Sequence, residues 1–187
     1  MAAAGRKTMK FCIYVPEETD PRVSKIVLAL RERFKADLVI GHNLDLQSAL
    51  PQSDVAISIA SLYHRDDGTF VEAARQADIE LVSITIVDHV DIYIPPEATT
   101  GILDSVMHPA MFDADLQTFL DKLRQHLERI SDARHEYNNI AAVVNLTTNP
   151  VALERARQAL VVLRSNYPEY LADPDNLNKR LGLKQEH

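Results

Sequence analysis

A three-layer α/β sandwich built on a five-stranded parallel sheet, followed by a long antiparallel α-helical hairpin, is the architecture this chain predicts. Three observations predict it. Short β-branched bursts recur from Lys10 to about Pro109, with helical patterns between them. Beyond Asp113 the apolar residues recur instead at alternating spacings of four and three. A turn signal, Thr147-Thr148-Asn149-Pro150, then separates that run from a second, shorter one.

The bursts are KFCIYV (10–15), ADLVIG (36–41), DVAISIA (54–60), ELVSITIV (80–87) and SVM (105–107). Continuous apolar runs of this length, bounded by polar breaks, suit strands buried on both faces. Asp20 and Pro21 supply an N-cap and a first-turn proline ahead of RVSKIVLALRERF, and Gly68-Thr69 precedes FVEAARQA. The crossovers at 42–52 and 88–104 are shorter or richer in proline. Five strands alternating with helices imply a sandwich of the flavodoxin-like kind.

In the second part Leu116, Leu120, Leu123, Leu127, Ile130, Arg134, Tyr137, Ala141 and Val144 form a heptad seam, all apolar or aromatic except Arg134. A helix over 114–146 is about 50 Å long at 1.5 Å per residue, too long to be covered by the sandwich. Asn149 is placed to cap a second helix with Pro150 in its first turn, and Leu153, Ala156, Leu160 and Leu163 resume the seam. Because this arm is shorter, an apolar edge is left over, which favours a homodimeric four-helix bundle through 114–167. The expected organisation is a disordered N-terminus at 1–9, an α/β domain at 10–113, the hairpin at 114–167 and an irregular tail at 168–187. One short helix is expected in the tail, from Pro174 to Gly182.

Bulk properties narrow the functional classes. With 187 residues and 46% apolar composition the chain can bury a real core. A net charge of −7 argues against binding the nucleic-acid backbone. Cys12 is the single cysteine, so neither an internal disulfide nor a cysteine-rich metal cluster is possible. MAAAGRKT lacks the apolar core of a secretory signal, and no apolar run approaches the ~20 residues that span a bilayer. The expectation is a cytoplasmic protein with no membrane partner, no metal site and no resident cofactor.

The stretch ARHEYNNIAAVVN (133–145) interrupts the helical pattern with a histidine, an acid and the paired amides Asn138 and Asn139. At about 100° per residue His135, Glu136 and Asn139 share one outward arc. A carboxylate beside an exposed imidazole can hold one tautomer or take its proton, and an amide can orient a water. The pattern H-E-x-x-N on a long helix leading into an antiparallel partner resembles the phosphoacceptor box of two-component histidine kinases. The longer R-H-E-Y-N-N is similar to the box of sporulation-type phosphotransferases. The resemblance covers about 114–166. It implies that His135 carries a phosphoryl group, that Glu136 assists its transfer, and that Glu136 with Asn139 positions a hydrolytic water. The same pattern also suits a solvated helix face.

Across about 100 residues the first part resembles a response-regulator receiver domain. Glu17 and Glu18 stand at the acid pair after the first strand, Gly68 at the glycine, Thr85 at the hydroxyl ending the fourth strand, and His108-Pro109 at Lys-Pro. The phosphorylatable aspartate falls on Ala60, and the clamping lysine on His108. These departures imply a degenerate receiver that serves docking or dimerisation. Asp66 and Asp67 in the loop before Gly68 are expected to be solvated.

The run SDVAISIASLYHRDDGTFVEAARQA also resembles Toll/interleukin-receptor-like and nucleoside deoxyribosyltransferase-like domains, which would make Glu72 the group acting at a ribosyl carbon. Their other ribose-binding and base-stacking residues have no counterpart visible in the sequence. With five glycines the chain carries no phosphate-binding glycine loop and no ATP lid, and His126 and His135 are too far apart to ligate one metal from one helix face. Three functions follow as expectations. The first is phosphotransfer, or phosphatase support, through His135 with a partner receiver or kinase, any Mg2+ coming from the partner receiver. The second is a non-catalytic dimeric adaptor, and the third a nucleotide N-glycosidase using Glu72.

Overall fold

A computed structural model describes residues 9–15, 20–61, 67–77, 79–87, 103–168, 170 and 173–183. The chain divides into two compact units, Met1–Asp121 and Lys122–His187.

The first unit is an α/β sandwich. Its elements are β1 (Lys10–Tyr14), α1 (Pro21–Phe34), β2 (Asp37–Gly41), α2 (Leu46–Ala49), β3 (Val55–Ser61), α3 (Gly68–Gln76), β4 (Glu80–Ile86) and β5 (Leu103–Met107). All five strands are parallel, in the order β2-β1-β3-β4-β5. That is the flavodoxin-like order, with the switch in chain direction between β1 and β3. Helix α1 starts where Asp20 accepts from the Arg22 N–H at 2.8 Å, and it ends at Lys35, whose φ of 49° turns the chain into the left-handed region. Phe11 meets Phe34 of α1 edge-on at 5.5 Å on one face of the sheet. On the other face Cys12, Tyr14, Ala56 and Leu81 pack with Phe70, Val71 and Ala74 of α3. Alternation along each strand sends neighbouring residues to opposite faces, so a two-sided apolar run is what this arrangement needs.

The 42–52 crossover contains only the four-residue α2 and a 3-10 turn at Leu50–Gln52. Strand β5 begins at Leu103, two residues before the expected SVM run, while most of the 88–104 crossover, through 102, lies outside the described residues. Of the N-terminal 1–9, only Met9 is described, and its carbonyl accepts from the Asp37 N–H at 2.9 Å.

Helix α4 (Phe112–Leu146) follows a 3-10 turn at Pro109–Met111 and crosses the division between the units. Its first turns belong to the sandwich. Lys25 lies over the Phe112 ring at 5.8 Å, and Arg33 pairs with Asp121 at 2.5 Å.

In the second unit α4 turns back into α5 (Pro150–Asn166), with Asn149 accepting from the Val151 N–H at 2.9 Å as its cap. Ile130, Ala133, Tyr137, Ile140, Ala141 and Val144 of α4 are buried with Ala156, Leu160 and Leu163 of α5. The expected seam position Arg134 is corrected by this packing: Arg134 is exposed and Ala133 is fully buried in its place. The seven-residue repeat itself holds, since Leu116, Leu123, Ile130, Tyr137 and Val144 are all buried, but the companion of Ile130 is the residue three positions on, Ala133, rather than four.

The tail is more ordered than its composition implied. A short helix, α6 (Leu177–Arg180), begins at Leu177 rather than at Pro174, and Gly182 follows it with a φ of 66°. Asp173 caps it by accepting from the Leu177 and Asn178 N–H groups at 2.7 and 3.0 Å. Tyr170 and Leu177 are buried against the hairpin, so part of the apolar edge left by the shorter α5 is covered by the chain's own tail.

Candidate functional site

A parallel sheet brings the ends of all its strands to one edge, where loops converge. Here Ala60 of β3 registers with Thr85 of β4, Thr85 registers with Val106 of β5, and His108 follows two residues later. The edge therefore gathers three of the receiver-like positions, while Glu17 and Glu18 lie outside the described residues. Ala60 is fully buried and Thr85 nearly so. The methyl of Ala60 offers no oxygen to a phosphoryl group. His108 is engaged by α4, because its ring Nδ1 and its backbone N both lie 2.9 Å from Asp115 Oδ2.

The expectation of a solvated Asp67 is corrected. Asp67 is 3% exposed, and its Oδ2 accepts a short hydrogen bond from the Ser58 hydroxyl. A buried carboxylate needs such partners, and this one serves β3 rather than capping the α3 that follows it. Asp66 lies outside the described residues. Among the described residues no group of three or more His, Cys, Asp or Glu is disposed to hold a metal ion.

Near the same edge a cavity of about 260 Å³ is lined by Tyr14, His42, Asn43, Leu44, Leu46, Thr69 and Phe70. Tyr14 of the lining has the His42 and Phe70 rings 5.5 and 5.6 Å away and His42 Nδ1 3.1 Å from its hydroxyl. This aromatic group, which brings together three distant stretches of chain, was not visible in the sequence. Glu72 lies outside it. It is two residues from Phe70, about 200° round the helix, and it is exposed and accepts from the Gln76 side chain at 3.0 Å.

On α4, His135, Glu136 and Asn139 are all exposed. At about 100° per residue, Ala133, Tyr137, Ile140 and Val144 fall within about 40° of the direction opposite His135. The imidazole therefore sits at the middle of the solvent arc, with Asn139 about 40° and Glu136 about 100° round from it on the same side, while the far side of the helix is filled. The arc presents an imidazole, a carboxylate and an amide together.

No family model matches the chain, and no curated protein matches it. Among solved structures it is similar to one described as "Low Resolution Structure of Response Regulator StyR", at 14% identity and a TM-score of 0.36, over 95% of this chain and 94% of that one. The flavodoxin-like fold class rests on the strand order and register of this chain.

Proposed function

We propose that the protein is a two-component-type signalling module that works through the outward arc of α4. His135 accepts a phosphoryl group from a partner and returns it to a partner receiver's aspartate, or the arc supports hydrolysis of that receiver's aspartyl phosphate. In taking the group from an aspartyl phosphate an imidazole nitrogen attacks phosphorus, the bond from phosphorus to the carboxylate oxygen breaks, and the aspartate leaves as its carboxylate; in returning it a carboxylate oxygen attacks phosphorus, the phosphorus–nitrogen bond breaks, and the imidazole leaves and regains its proton. Glu136 takes the imidazole proton, and in hydrolysis Glu136 and Asn139 hold the attacking water. Any Mg2+ in this reaction is held by the partner receiver.

The observation that carries this reading is the joint exposure of His135, Glu136 and Asn139 on a helix whose opposite face is fully packed. The sandwich then serves as a docking or dimerising body, consistent with a buried Ala60 and a His108 bound to Asp115.

The test is incubation of the full chain with radiolabelled phosphorylated receivers and with autophosphorylated kinases. Acid-labile label on the chain, or faster receiver dephosphorylation, lost in His135→Ala, is the expected result. No label and no change in dephosphorylation would sink it. If His135→Ala is silent while Leu123→Asp abolishes signalling, the non-catalytic adaptor takes its place.

A further inference from the structure

Strand β2 is an edge of the sheet, and its sequence Asp37-Leu38-Val39-Ile40-Gly41 carries one charge, at its first residue, with an apolar middle. It has no lysine and no proline, and its register with β1 runs unbroken with no bulge. Val39 is 43% exposed and Ile40 is 37% exposed, and as neighbours they point to opposite faces. Apolar surface is therefore open on both sides of this strand.

Two hydrogen bonds fix the direction of its backbone. The Asp37 N–H donates to the Met9 carbonyl at 2.9 Å, and the Gly41 carbonyl accepts from the Val15 N–H at 3.1 Å. Backbone groups alternate sides along a strand, so Asp37, Val39 and Gly41 face β1. The N–H and C=O groups of Leu38 and Ile40 face outward, and among the described residues no strand pairs with them.

We propose that β2 of one copy pairs antiparallel with β2 of a second copy about a two-fold axis at Val39, joining two sheets into one. The strand is complementary to itself in this register. Leu38 of each copy stands opposite Ile40 of the other, and each such pair exchanges both of its outward backbone hydrogen bonds. Val39 meets its own equivalent as the closer, non-hydrogen-bonded pair, where side-chain contact is greatest. Asp37 stands opposite Gly41, so no like charges oppose each other. All five residues are matched, and the contact is isologous, so it closes at two copies.

The test uses the full chain and reads both mass and register. Sedimentation should show a concentration-dependent dimer. I40P removes one outward N–H per copy without touching a bond to β1, and V39K sets two like charges across the axis. Each should weaken the dimer by about tenfold or more, with circular dichroism confirming that the variant is folded. On mild oxidation V39C should cross-link to a covalent dimer, whereas D37C, opposite a glycine, should not. The native Cys12 is fully buried and does not compete. A wild-type chain that stays monomeric would overturn the proposal. So would a dimer that both I40P and V39K leave intact and that V39C fails to cross-link, since its interface then lies elsewhere, such as the hairpin.

Discussion

The Tyr137 hydroxyl donates to Asp173 Oδ1 at 2.5 Å and accepts from the Asp175 N–H at 3.1 Å, so one phenol on α4 fastens a segment 36 residues further along the chain. Tyr137 is fully buried, and its ring meets Tyr170 edge-on at 6.2 Å. Removing only the oxygen isolates the polar part of this joint. Tyr137→Phe is expected to lower stability by about 1–3 kcal/mol, read by urea denaturation, and to speed proteolysis within 170–183. Unchanged stability and cleavage would mean that the apolar contacts alone hold the tail.

Acid and base should loosen the same joint from opposite sides. Burial raises the Asp173 carboxyl, but the Tyr137 hydroxyl and the N–H groups of Asn178 and Leu177 outweigh it and leave the group below its ordinary value. Its contribution is therefore complete above about pH 5 and is lost as pH falls through the lowered folded value. Burial, and then the bond to Asp173, push the Tyr137 phenol up. That contribution is complete below about pH 10 and fades above it, because the unfolded chain ionises first. Proteolysis of the tail measured against pH should be slowest between these limits, and Asp173→Asn should flatten the acid side.

The exchange of seam positions at 133 and 134 makes a paired prediction. Ala133→Arg forces a long cation into a packed seam and should cost at least about 3 kcal/mol, or unfold the hairpin outright. Arg134→Ala should change stability by less than about 0.5 kcal/mol. Thermal melts of the two variants decide which of the two residues belongs to the seam.

The capping bond from Asn149 gives a local test of the hairpin turn. Asn149→Ala leaves the Val151 N–H without that acceptor and should cost about 1 kcal/mol, whereas Asn149→Asp should retain most of the stability. Chemical denaturation of the two variants measures the difference.

Lone-thiol chemistry reports on the sandwich. Burial pushes the Cys12 thiol up to about 11 and closes it from reagent. Alkylation at pH 8 should be slow in the native chain and fast in denaturant. Rapid native labelling would mean that the sheet opens around β1.

What was legible in the sequence follows from local chemistry. Asp20-Pro21 and Asn149-Pro150 start helices because a side-chain acceptor and a fixed φ act within two residues of each other. The bursts at 10–15, 54–60 and 80–87 became central strands because two-sided burial requires continuous apolar runs, whereas the similar run at 36–41 became the half-exposed edge β2. The exposed placement of His135, Glu136 and Asn139 follows from helical period alone. Arg134 was misplaced because residues three and four positions after Ile130 lie on either side of the same seam, and only packing decides that Ala133 rather than Arg134 fills it.

By itself, then, the sequence determined the α/β class, the hairpin with its caps, and which side chains the outward arc of α4 exposes, since each rests on residues close together in the chain. The tertiary structure alone decided the rest: Asp67 buried on Ser58, His108 held by Asp115, Tyr14 ringed by His42 and Phe70, and Tyr137 closing on Asp173. Most of those pairings join different elements or distant stretches of chain, and no periodicity encodes them. They depend on which buried polar group finds a partner when the elements pack, because a buried polar group left without one is costly.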